Sequence, residues 1–247
     1  MRSTLTRAGL VVGLVGFGLA CGGGATETNE LSVTPSTDRA ATPAAAGSNK
    51  FAEWSDKDIE ARLKADGWTI EECYSSREDG EEYNDCDAVK GKLAAAIELS
   101  KFKSEDDARW TVEDEPAALR DGKATLEVTV YDGEAAARVL DQMSPKGARI
   151  AQIDSATVES ALKGLGYSIT ESSRSREDGM VYQEVMGTQG DSYAIVDWSY
   201  NENGNGGQEL RLDEGGTAVI TQGYEDVVSI VIMDADKAKD LLAAVTK

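Results

Sequence analysis

From residue 51 onward, apolar positions switch between two periods. Ile59 and Leu63 lie four apart and give a short helix one inward face, with Ser55 in the N-cap position and Gly67 at the stop. A period of two follows. Trp68 and Ile70 open a strand, and Asp79-Gly80 supplies a two-residue hairpin turn whose residues tolerate positive φ. A return strand carries Tyr83, and a third strand places Leu93, Ala95, Ile97 and Leu99 on one face. After an irregular acidic stretch, Leu126, Val128 and Val130 mark a fourth strand. Asp132 caps a last helix with Val139, Leu140 and Met143 inward. The predicted order is α-β-β-β-β-α.

The same order is written a second time. Shifted by 99 residues, Ser76-Arg-Glu-Asp-Gly80 falls on Ser175-Arg-Glu-Asp-Gly179, and Asp58–Gly67 falls on Thr157–Gly166. Later, Leu126–Met143 matches Val228–Val245. Asp154 or Ser155 caps the second first helix and Asp234 the second last one. Two copies are too few for a solenoid. The expectation is an α+β chain of two tandem repeats, 51–149 and 150–247. Each has an antiparallel sheet with helices on one face, and a pseudo-two-fold relates them as similar packed lobes. Trp54, Trp68 and Trp198 align with Ile153, Tyr167 and Leu99, which makes them core residues. Trp110 aligns with Glu209 and is the candidate exposed aromatic.

Before residue 21 the only charges are Arg2 and Arg7, followed by the uncharged run Ala8–Ala20 and then Cys21. A basic start and a short apolar run define an export signal. The run is too short to span a bilayer, which takes about 20 residues. With Ala20-Cys21 at its end, this segment resembles a bacterial lipoprotein precursor. The resemblance implies cleavage of signal peptide 1–20 and a lipid on the sulfur of Cys21. It further implies export and anchoring to a bacterial membrane on the extracytoplasmic side, in the periplasm or at the cell surface. Residues 21–50, rich in Gly, Ala, Thr and Ser, read as a flexible tether.

Of 247 residues, 45 are acidic and 25 basic, for a net charge of −20. Loss of Arg2 and Arg7 with the signal takes this to −22. Such a chain lacks the basic footprint of a nucleic-acid binder. It has no histidine, which excludes Ser-His-Asp and Cys-His catalytic devices and His-ligated zinc. No metal or cofactor is expected.

Counting outward from Asp79-Gly80 brings Cys73 opposite Cys86, so a cross-strand disulfide is expected in an oxidising compartment. Simple alternation puts Cys73 on the face opposite Ile70. The repeated Arg-Glu-Asp-Gly makes Arg77 and Arg176 possible surface contacts, although charged hairpin tips commonly serve solubility. Asn201, Asn203 and Asn205 imitate the start of a calcium loop, but its twelfth position is Leu212. Ser100-x-x-Lys103 and Ser160-x-x-Lys163 lack the partner motifs of penicillin-recognising enzymes. These residues favour a non-catalytic, lipid-anchored envelope protein that binds an envelope protein or ligand, or aids an assembly. The alternative is a carboxylate-dependent envelope hydrolase, which needs two acids about 5–10 Å apart in a cleft.

Overall fold

The computed structural model describes residues 50–113, 115–143, 149–203, 209–214, 216–222 and 226–247. They fall within one compact unit, Ala44–Lys247. Cys21 and the tether lie outside the described residues.

The architecture is α+β around an antiparallel sheet. The chain runs α1 (Asp56–Ala65), β1 (Thr69–Glu78), β2 (Glu81–Lys90), β3 (Leu93–Lys101), α2 (Glu105–Val112), β4 (Ala118–Asp121), β5 (Ala124–Asp132) and α3 (Gly133–Met143). It continues through α4 (Ser155–Gly164), β6 (Ser168–Glu177), β7 (Met180–Gln189), β8 (Ser192–Asn201), β9 (Glu209–Glu214), β10 (Thr217–Gln222), β11 (Asp226–Met233) and α5 (Ala235–Val245). The order across the sheet is β1-β2-β3-β5-β11-β8-β7-β6, with β4 beside β5, β10 beside β11 and β9 beside β10.

Local chemistry explains the boundaries. The Ser55 hydroxyl and backbone N–H both donate to Asp58, each at 2.8 Å, which closes the start of α1. Asp132, Asp154 and Asp234 accept backbone N–H groups from Ala135, Thr157 and Lys237 at 2.8–3.0 Å. The hairpin turns at Asp79-Gly80 and Asp178-Gly179 have positive φ at both residues, as a type I′ turn requires.

Three expectations from the sequence need correction. The acidic stretch is not irregular: it holds α2 and β4, and the matching stretch of the second half holds β9 and β10. Ser104 caps α2 by accepting the Asp107 N–H at 3.1 Å, and three acids occupy its first turn. Ala108 is its buried residue, so no apolar period announces the helix.

Nor do all the helices share one face. The four helices at the ends of the two halves do, since Tyr131 pairs with Met233 and the core residues Val130 and Ile232 therefore share the opposite face, α1 and α5 covering one core and α3 and α4 the other. The exception is α2, whose Ala108 belongs to neither core. Ser100 and Thr125 point away from the core by alternation, yet both are fully buried. α2 packs on β4 and β5 and accounts for their burial.

The halves are also not separate lobes. They share one sheet, joined where Tyr131 of β5 pairs with Met233 of β11. They exchange helices as well. Val139, Leu140 and Met143 of α3 pack with Val196, Ile220 and Ile230 of the second half. Leu241, Leu242 and Val245 of α5 pack with Ile97, Leu126 and Val128 of the first. The periodicity of α3 and α5 specifies a buried face but not the sheet it covers.

Candidate functional site

The disulfide is present. Cys73 and Cys86 pair in register with Cα atoms 4.2 Å apart. Its face differs from simple alternation. A β-bulge between Ile70 and Glu72 adds one residue to β1, so Cys73 returns to the Ile70 side. Both sulfurs therefore meet the first core, where Cys86 is 1% exposed. The same bulge recurs in β6 between Ile169 and Glu171, where Ser172 pairs with Val185.

The sheet face opposite the core carries the acids pushed upward, Asp85, Asp87, Glu127 and Asp197, and register explains why. Tyr74, Asp85, Glu98 and Glu127 stand directly opposite one another across β1, β2, β3 and β5. In the second half, Ser173, Glu184, Asp197 and Ser229 form the corresponding row across β6, β7, β8 and β11. Like charges placed directly opposite repel. Glu127 is pushed up to about 7, first by loss of hydration and then by the Glu98 carboxylate. Asp85 is raised mainly by burial, and its Oδ1 is buried without a hydrogen-bond partner. The Asp85 carboxyl opposite Tyr74 pushes the Tyr74 hydroxyl up to about 12. Asp197 is pushed up to about 7, first by loss of hydration and then by the Glu184 carboxyl opposite it.

The second row opens onto a groove with a volume of about 310 Å³. Tyr182 and Ser199, paired with each other, line it one row further along. Tyr182 is 45% exposed. At the corresponding row of the first half, Tyr83 pairs with Ser100, and Ser100 is covered.

On the core-facing side of the first half, Glu82 gathers three donors. Lys101 reaches it at 2.8 Å, Arg77 at 2.6 Å and Asn84 at 3.3 Å. These hydrogen bonds, Lys101 first, hold its carboxyl down to about 2. Arg77 is thus tied to Glu82 while its side chain stays 79% exposed. Arg176 is tied to Glu202 in the same manner. Trp110 stands 69% exposed on α2, away from the groove's lining. Ser100, of the Ser-x-x-Lys string, donates to Glu98 at 2.6 Å and is fully buried. Asn201 accepts the Asn203 N–H at 2.9 Å in a local turn, and Asn205 lies outside the described residues.

Chemically, the outer face can attract cations and accept hydrogen bonds. Among the described residues no three His, Cys, Asp or Glu side chains converge as a metal cage, because the acids run in rows. Among the same residues no helix is long and apolar enough to cross a membrane. No family model, no curated protein and no solved structure matches this chain.

Proposed function

We propose that this protein is a non-catalytic, lipid-anchored module of a bacterial cell envelope that binds a ligand or partner. Its anchor is the lipidated Cys21, and residues 21–50 hold the folded body away from the extracytoplasmic membrane surface. A diacylated or triacylated cysteine gives durable attachment, where a single chain gives only marginal binding.

The observation that carries the binding reading is the Glu184–Asp197 pair. The two carboxylates stand directly opposite each other in register on an open sheet face. Glycosidase acids stand about 5–10 Å apart across a cleft, with room for a water or a sugar carbon between them. Neighbouring acids on one sheet face, side by side in a shallow groove and not facing each other across a cleft, suit recognition better than hydrolysis.

The body is an internal duplication with a pseudo-two-fold through the sheet junction. Three parallels support this. The hairpin registers Glu78/Glu81 and Glu177/Met180 occur 99 residues apart. The bulges at 70/72 and 169/171 keep the same offset. Tyr131 and Met233, which pair at the junction, are matched positions of the two copies.

Crosslinking in intact membranes tests the function. A photoreactive residue at position 182 is expected to give a discrete adduct that a position on the α4 surface, such as Lys163, does not. Hydrolysis of an envelope glycan by the purified chain, lost in Asp197→Asn, contradicts the reading.

A further inference from the structure

We infer that the groove on the outer face of the second half is a binding site for a ligand bearing an organic ammonium group. The inference deepens the binding-module reading and rests on it.

Sheet register brings the carboxyls of Glu184 and Asp197 directly opposite each other in the groove. The lining includes these two acids and no Lys or Arg. The two arginines of β6 that could neutralise them alternate to the other face. There Arg174 meets the Tyr200 hydroxyl and Arg176 meets Glu202. The like-charge contact is therefore left without a basic partner from the neighbouring strand.

An ammonium ion fits this gap by charge. It places N–H donors between two acceptors, and it replaces a repulsive contact with two attractive ones. The ring of Tyr182, on the same strand two residues from Glu184, offers an exposed aromatic face beside them. Carboxylates flanked by an aromatic ring are the usual recognition set for organic cations. Ser173 and Ser229 bracket the acids at either end of the row and add hydroxyl acceptors.

Comparison of the halves sharpens the assignment. The first half has a longer acid row, Asp85, Glu98 and Glu127, yet its next row is closed at Ser100 and Thr125. There Tyr74 already stands opposite Asp85. In the second half Ser173 replaces that tyrosine, and the face beside the acids stays open. The first half uses its own side chain where the second leaves room for a ligand.

The test is an amide chemical-shift titration of the intact chain at physiological salt, with 1,4-diaminobutane against the uncharged isostere 1,4-butanediol. The amine is expected to shift Tyr182, Glu184, Asp197 and Ser199 saturably, and the diol to leave them in place. Glu184→Gln with Asp197→Asn is expected to weaken amine binding at least tenfold while the remaining spectrum stays dispersed. Tyr182→Ser, which leaves the acids intact, is expected to weaken it severalfold. Equal shifts with the diol, or amine shifts spread equally over Asp85, Glu98 and Glu127, overturn the assignment. So does a flat titration; the anchored-module reading is judged separately, by the chemistry found at Cys21.

Discussion

Tyr131 and Met233 pair across β5 and β11, and that contact makes one sheet of two halves. Immediately after it the chain enters α3 from β5 and α5 from β11. Each helix then covers the other half's core. Lys237 ties the crossing together, since its ammonium reaches the helix cap Asp132 at 2.9 Å and also Asp234.

The exchange predicts where a core mutation is felt. Leu241→Ala in α5 removes a side chain that is 4% exposed and sits in the first-half core. The expected cost is about 2–5 kcal/mol. Native-state hydrogen exchange is expected to show the greatest loss of protection in β3 and β5. Loss centred on β7 and β8 instead means α5 serves its own half.

Cys73 and Cys86 close a loop with a sequence separation of 13. Replacing both with Ala is expected to lower stability by about 3 kcal/mol in urea titrations. A Ser172→Cys, Val185→Cys variant is expected to form the matching bridge in the second half, because these residues pair in the same register. Non-reducing mass spectrometry reads the outcome, and two free thiols there would mean that the halves differ in local geometry.

How much of this was legible without coordinates depends on the residue. Asp79-Gly80 sets the hairpin register, and with it the Cys73–Cys86 pairing, because a two-residue turn leaves no freedom in the count. The face of Cys73 was not legible. The bulge at Glu71 uses no glycine and interrupts no apolar pattern, since β1 is an edge strand with few buried residues. The acid row Asp85–Glu98–Glu127 appears only once β5 is known to lie beside β3, a contact between distant parts of the chain. Helix α2 hides because one buried alanine makes no periodicity.

The acid rows of the outer face also set a pH response. Glu127 and Asp197 have folded values raised to about 7 from 4.5 and 3.8. Raised acids favour the fold when protonated. Their contribution is complete below the unfolded values and is lost as pH rises through about 7. Glu82 acts oppositely. Its lowered value of about 2 stabilises the fold above 4.5, and that support is lost as pH falls towards 2. Thermal midpoints are therefore expected to decline from pH 4.5 to beyond 7, and Glu127→Gln with Asp197→Asn is expected to flatten the decline. An unchanged slope in that variant would place the titrating groups elsewhere.

Gly216 gives a steric test of the junction. A Cβ there would lie 2.6 Å from Tyr131 Cβ and 3.2 Å from Ala94 Cβ, at a φ of +78°. Gly91 has a similar φ of +66° and nothing within 4 Å. Gly216→Ala is expected to cost about 2–4 kcal/mol and Gly91→Ala about 1 kcal/mol. Equal costs in chemical denaturation would mean that the β9–β10 turn does not press on β5.

The proposed function depends first on where the chain begins and what it carries. Intact-mass measurement of the protein extracted from native membranes reads both at once. The account predicts a chain starting at Cys21 with the added mass of a diacylglyceryl or triacyl group, and no water-soluble form. A soluble chain with unmodified Cys21, or one still carrying residues 1–20, contradicts it.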